Sequence, residues 1–286
     1  MKRGTTLAGI KQARKVCYVG LMLVIVGLGG DTALALDPMG PPASALRKGD
    51  YKVTLDYAFG QMDLDLANGK WTTRLDGDPY DAGAANSITV KDFQAHRVYA
   101  GLGYGIFENW DVFARLGGAN ATFGDSIWDL GEDFEGNNDL LAGAGIKGTF
   151  YETDRLRFGG LLQGSYAAYD GKLDGPGWPS FDFIEATITE AQLALGATYL
   201  WTQRLSVYTG PFVHYMRGDF EDTFVLYNDD LGGTAHSIYS WEIDNGLTYG
   251  GYLGAQIVLG HNCLFNVEYQ QTSDANTIGM GLMWRI

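Results

Sequence analysis

The chain has 286 residues, a formal net charge of −14, 41 glycines, 17 tyrosines, 14 phenylalanines, 7 tryptophans and only 7 prolines. The acidic balance excludes a nucleic-acid partner, which needs a basic footprint. After residue 30 no segment approaches the roughly 20 consecutive apolar residues of a spanning helix, so any passage through a membrane must be made by strands.

The first 35 residues have the make-up of a secretory signal. Lys2, Arg3, Lys11, Arg14 and Lys15 form a basic start, Val16 to Gly27 is an apolar run, and Ala33-Leu34-Ala35 gives a small-x-small cleavage pattern. Cys17 lies at the start of the apolar run, whereas a lipidated cysteine would follow that run, so no lipoprotein is expected. Cleavage after Ala35 removes five basic residues and Asp31, leaving 15 Lys and Arg against 33 Asp and Glu, a formal charge of −18. Cys263 is then the single cysteine, so no internal disulfide is expected. Residues 36–49 hold Pro38, Gly40, Pro41 and Pro42 and read as an irregular leader.

Residues 50–286 read as one all-β unit. Tyr51, Val53, Leu55, Tyr57 and Phe59 alternate with Lys52, Thr54, Asp56 and Ala58 in the first strand. Gln61 to Val90 reads as a large polar loop. The next two strands are the clearest hairpin in the chain: Val98, Ala100, Leu102, Tyr104 and Ile106 share one face, then Trp110, Val112, Ala114 and Leu116, with a turn at Phe107-Glu108-Asn109. A second loop spans Asn120 to Asp139. Strands four and five, over 140–150 and 156–166, flank the turn Tyr151-Glu152-Thr153-Asp154, and a third loop runs from Asp170 to Phe183. Strands six (190–199) and seven (205–215) flank Trp201-Thr202-Gln203-Arg204, and a fourth loop covers Gly218 to His236. Strands eight (247–259) and nine (265–269) flank Gly260-His261-Asn262, and a tenth, Ile278 to Ile286, closes the chain after a shorter loop at Thr272 to Asn276. Pro211 falls inside strand seven and predicts a bulge or break there.

The expected fold is a closed antiparallel transmembrane β-barrel of ten strands. Apolar faces of about nine to eleven residues match a tilted spanning strand. Short and long connections alternate, and an even count puts both termini on the short-turn side. Backbone groups in lipid must be satisfied internally, so such a sheet closes on itself. A soluble barrel would turn the pattern inside out, but its exterior would then be largely glycine: Gly101, Gly103, Gly105, Gly143, Gly145, Gly196, Gly250 and Gly254. Aromatics also gather where strands meet turns, among them Tyr104, Phe107, Trp110, Phe150, Tyr151, Tyr199, Trp201, Phe265 and Trp284, as in interfacial girdles.

On the hairpin GLGYGIFENWDVFARLGG and the terminal strand IGMGLMWRI, residues 50–286 resemble the small outer-membrane β-barrel proteins of bacteria with two membranes. The resemblance implies an outer-membrane location, outer-membrane lipid around the wall, and recognition of the C-terminal strand Ile278 to Ile286 by the barrel-assembly machinery. In that family the last residue is usually aromatic; here it is Ile286, with Trp284 two before it.

The face predicted to line the lumen holds Lys52, Asp56, Arg97, Arg115, Lys147, Arg157, Glu190, Asp244 and Glu268. Mixed signs over eight strands suggest paired charges that fill the barrel, since a buried unpaired charge costs several kcal/mol. The alternative is a narrow pore for ions or small solutes. The lumen glycines allow either: they widen a path, or they make room for Arg115 or Tyr252. The second and fourth loops are acidic, with Asp125, Asp129, Glu132, Asp133, Glu135 and Asp139, then Asp219, Glu221, Asp222, Asp229 and Asp230. Their spacing does not match a calcium loop, so they read as a solvated surface for ligands or, through divalent cations, for anionic lipid. Ten strands also suit the omptin-like outer-membrane proteases, which use an Asp pair and an Asp-x-His pair at the outer rim. Asp76-Gly77-Asp78 imitates the first, but none of His96, His214, His236 and His261 has an Asp two positions before it. No phosphate loop, nucleophile elbow, His/Cys metal cluster or dinucleotide fingerprint is present, so neither a cofactor nor an enzymatic role is expected.

Overall fold

A computed structural model describes residues 36–124, 134–174, 180–228 and 233–286; the predicted signal segment and parts of the second, third and fourth loops lie outside them. Twelve strands form: β1 (Tyr51–Leu75), β2 (Asp78–Ala84), β3 (Ile88–Phe107), β4 (Trp110–Phe123), β5 (Phe134–Gly136), β6 (Asp139–Glu152), β7 (Leu156–Asp174), β8 (Ser180–Leu200), β9 (Leu205–Asn228), β10 (Gly233–Val258), β11 (Cys263–Gln271) and β12 (Ala275–Arg285). Ten of them make an antiparallel ring, closed where β1 pairs with β12 from Lys52↔Arg285 to Met62↔Ala275. All ten strands expected from the sequence are in that ring. The other two, β2 and β5, are short strands added at the outer end, within stretches expected to be loops.

Period-two alternation sets which residues face lipid. On the inner half of each strand the apolar set faces out: Leu102 is 67% exposed, Leu116 64% and Tyr249 69%. Tyr51, Tyr104, Phe107, Phe150, Tyr151 and Trp201 are exposed at the short-turn end, and Tyr166, Tyr215, Tyr249 and Tyr269 are exposed farther out. Lumen glycines leave room for side chains and for chain inside the barrel. A Cβ on Gly196 would meet the Tyr252 hydroxyl at 2.2 Å, and one on Gly159 would meet Ala43 Cα at 2.6 Å.

Farther out the pattern inverts. On β1, Met62, Leu64 and Leu66 are buried inside while Asp63 and Asp65 face out. On β8, Ile184, Ala186 and Ile188 are buried inside while Glu185 is exposed. The change from apolar-out to apolar-in passes through cross-strand neighbours Gln271, Asn276, Gln61, Gln94 and Thr122 on five successive strands, and through the pair Thr189 and Arg217. These polar residues mark the outer edge of the lipid-facing belt, because charged and amide side chains are costly in hydrocarbon.

Beyond that edge the barrel is built like a water-soluble one. Phe93, Phe123, Phe134, Tyr169, Phe220 and Trp241 fill its interior, with Phe123 stacked on Phe134 at 4.6 Å and Phe93 edge-on to Tyr169 at 5.4 Å. Here β11 and β12 have ended, and β1 pairs directly with β10 from Leu66↔Ile243 to Leu75↔Ala235. Near the top β5 stands between β4 and β7, below which β6 fills that place. Barrel diameter grows with strand number, so the outer section, without β11 and β12, is narrower as well as filled.

This overturns the reading of Gln61 to Val90 and Gly218 to His236 as loops. Both are largely strand, with β1 running on to Leu75, β9 to Asn228 and β10 starting at Gly233. At Pro211 the β8–β9 ladder has no pairs between Ala194↔Phe212 and Ala197↔Thr209, while Pro211 stays in register with Gly251 on β10. The missing proline N–H accounts for the gap.

Candidate functional site

Residues 36–49 do not lie outside the barrel. They run up its lumen from the short-turn end, with Leu36, Asp37, Met39, Ala43 and Leu46 all buried. Pro38, Pro41 and Pro42 keep this segment out of the sheet, since proline cannot donate to a ladder. Its own amides and carbonyls must then find partners on the wall, and the charged lumen residues supply them.

Asp37 is at the centre. One carboxylate oxygen accepts from Arg97 Nη1 at 3.0 Å and from the Tyr99 hydroxyl; the other accepts from Arg115 Nη2 at 3.0 Å. Arg97 also reaches Glu190 at 2.5 Å and the Tyr169 hydroxyl at 3.1 Å. Arg115 donates to Pro38 O at 3.0 Å and stacks on the Tyr99 ring, 4.4 Å from its centroid. Gln270 donates to Asp37 O at 2.8 Å. Glu268 receives the Met39 amide at 2.5 Å and the Gly40 amide at 2.8 Å, together with the Tyr208 hydroxyl at 3.1 Å. Lys147 donates to Met39 O and, at 2.9 Å, to Pro41 O. Lower down, Asp111 is paired with Lys52 at 3.0 Å and accepts from the Ala45 amide at 2.9 Å and the Ser44 hydroxyl at 3.1 Å. The Ser44 amide donates to Thr149 Oγ1 at 3.0 Å, and the Leu36 amide to Thr277 Oγ1.

Opposite charges face one another at these two levels, and Asp56 lines the same space as Arg115 and Lys147. Arg97 and Arg115 pair with Glu190 and Asp37, and Lys52 pairs with Asp111; Lys147 and Glu268 instead hold the leader backbone around Met39. Within the upper set the wall contributes two cations and one carboxylate, and the second carboxylate comes from the leader. A buried charge without a partner is strongly unfavourable, and among the described residues Asp37 supplies the carboxylate in ion-pair contact with Arg115.

Of the nine residues the sequence places in the lumen, Lys52, Arg97, Arg115, Lys147, Glu190 and Glu268 are buried there. Asp56 is half-buried beside Thr54, whose hydroxyl it accepts at 2.8 Å. Arg157 is at the short-turn rim, in a partly exposed pair with Glu152 at 2.6 Å. Asp244 is a correction: it is exposed on the outside. A bulge between Ile243 and Gly246, with Gly246 at φ +61°, shifts the alternation by one, so even-numbered residues that face in from Thr248 onward face out before it. Asp222, expected on an acidic loop, is buried inside the outer barrel. Sequence reasoning missed Asp37, Tyr99, Gln163, Gln270 and Thr277. The one available signal was a proline-rich leader carrying a single acid directly before a barrel with excess lumen arginine.

Asp76 and His214 do not come together. His214 is buried beside Glu190, 3.3 Å away, whereas Asp76 is in the outermost turn, accepting from the Thr234 amide. Their neighbours on β10, Thr248 and Thr234, are fourteen positions apart, about 45 Å along a strand. Among the described residues no group of three or more His, Cys, Asp or Glu is arranged to hold a metal ion.

No family profile and no curated protein sequence matches the chain. Among solved structures it is similar to the outer-membrane protease OmpT of Escherichia coli, at 12% identity and a TM-score of 0.45, over 82% of this chain and 97% of that one. It is also similar to the outer-membrane protein OprG of Pseudomonas aeruginosa, at 12% identity and 0.40, over 84% and 97%. A third is the toluene transporter TbuX of Ralstonia pickettii, at 11% identity and 0.38, over 90% and 95%.

Proposed function

We propose that this chain is a non-enzymatic outer-membrane barrel whose lumen is closed in its resting state by its own leader, and that it acts at the cell surface through the rigid barrel extending past the lipid. The observation that carries the reading is Asp37, seated by Arg97, Arg115 and Tyr99 and paired with both guanidinium groups. The filled outer core gives a second seal above it. Outside, Asp63, Asp65, Asp92, Glu185, Asp219, Glu242 and Asp244 make an acidic exposed surface, suited to water and to cationic or cation-bridged ligands. In this reading residues 1–35 are removed on export, and Ile278 to Ile286 is the strand read by the assembly machinery. Passage of small solutes is the second reading, and it requires both seals to move.

Single-channel recording in a planar bilayer tests this. The chain Leu36–Ile286, shown to be folded in the same membrane, is expected to be silent. Steady discrete openings from it would overturn the closed-barrel reading.

A further inference from the structure

The short-turn end of the lumen has a charge opposite to that of the protein. Between leader residues 41–45 and the wall lies a cavity of about 180 Å³. Lys52, Lys147, Arg157, Arg204, Arg285 and His261 line it, and no carboxylate does. The whole chain carries 34 acidic against 20 basic residues, so a lining of five cations and no acid is not the average surface. Asp111 neutralises Lys52 and Glu152 neutralises Arg157. Lys147 is held by leader carbonyls, which carry no net charge. Among the described residues, Arg204 and Arg285 make no ion pair. Three cationic charges therefore face this space with no carboxylate in ion-pair contact among the described residues.

A second observation points the same way. Thr198 is 5% exposed, lines the cavity, and its Oγ1 has no hydrogen-bond partner. A buried hydroxyl left unpaired costs about 1–3 kcal/mol, and such a group calls for an occupant. It can donate to an anion as readily as to water.

We propose that the short-turn mouth of the lumen is a binding site for a small oxyanion of the phosphate class, held by Arg204, Arg285 and Lys147 with Thr198 as a neutral donor. The guanidinium fork matches phosphate oxygens two at a time. Liquid water occupies about 30 Å³ per molecule, so the cavity takes such an ion together with several waters. Leader residues 41–45 form part of the wall, so the site exists only while the leader is seated. The site is independent of whether the barrel conducts, since it needs no opening of either seal.

The test is calorimetric titration of inorganic phosphate into the folded chain Leu36–Ile286 in detergent micelles. Arg204 and Arg285 are exposed, so the double variant Arg204→Gln/Arg285→Gln retains the fold, and Thr198→Val keeps the side-chain shape without the hydroxyl. One phosphate per chain is expected, with affinity falling at least tenfold in the double variant and about three- to tenfold in Thr198→Val. Arg74→Gln, at the far outer end, is the control and leaves affinity unchanged. Absence of binding to the unmodified chain would overturn the site. So would equal losses in Arg74→Gln and the double variant, which would mean diffuse attraction.

Discussion

Replacing Asp37 by asparagine keeps the size of the side chain and removes its charge. Arg115 then loses its carboxylate partner at 3.0 Å, while Arg97 keeps Glu190. Removing one member of a buried ion pair costs about 3–5 kcal/mol. Each 1.4 kcal/mol is a factor of ten, so the equilibrium between seated and released leader shifts by a factor of roughly 140 to 4,000. Hydrogen exchange at the Met39 and Gly40 amides reads this directly. Both are buried and bound to Glu268, two and three residues from the substitution. Their exchange is expected to accelerate by that factor in Asp37→Asn, while amides of β3 and β4 stay protected. The cycle with Arg115→Gln separates charge from shape: the double variant is expected to recover part of the loss, because the stranded cation is gone. Unchanged protection at Met39 and Gly40 in Asp37→Asn would refute the idea that this contact seats the leader.

Four further outcomes follow from the same geometry. Gly159→Ala places a Cβ within 2.6 Å of Ala43 Cα and 2.7 Å of Gly148 O, so it is expected to expel the lower leader and raise Ala45 exchange without unfolding the wall. Phe93→Ala, in the outer core, is expected to lower stability by about 3–5 kcal/mol in urea titrations in lipid vesicles. Leu193→Arg places a charge on an apolar residue that is 52% exposed on the lipid face, with an expected cost of about 2–4 kcal/mol in the same assay near the bilayer midplane. Asp244→Asn, on the solvated outside, is expected to change stability by no more than about 0.5 kcal/mol, whereas Glu190→Gln strands part of Arg97's charge and costs several-fold more.

Where one physical rule governed a stretch, the sequence was readable. The ten spanning strands follow from apolar-out alternation, and each has the expected parity over its inner half. The outer half of the barrel obeys the same period with the opposite sign. Met62, Leu64 and Leu66 alternate with Asp63 and Asp65 as strictly as Val53 and Leu55 do with Thr54 and Asp56. Only the burying medium changes, from lipid outside to a packed core inside, and that depends on what other strands bring to the interior. Asp244 was misplaced for a local reason, the bulge in which Asp244 and Asn245 together oppose Arg217. Asp37 was missed for a global one. Nothing near it in the chain marks it as buried; its partners Arg97 and Arg115 lie 60 and 78 residues away and converge on it only after the ring has closed.

The seam where first and last strands meet has its own mechanical consequence. Over its inner part β1 is stitched to β12, and over its outer part to β10, with the β11–β12 hairpin ending between. A crack opened between β1 and β12 therefore has no straight continuation: to travel outward it must jump to a different strand pair. The wall is locked the way staggered joints lock brickwork. A sideways exit through this seam is limited to the eleven paired positions from Lys52 to Met62, and the seam opens along its whole length only when both β12 and β10 have let go of β1.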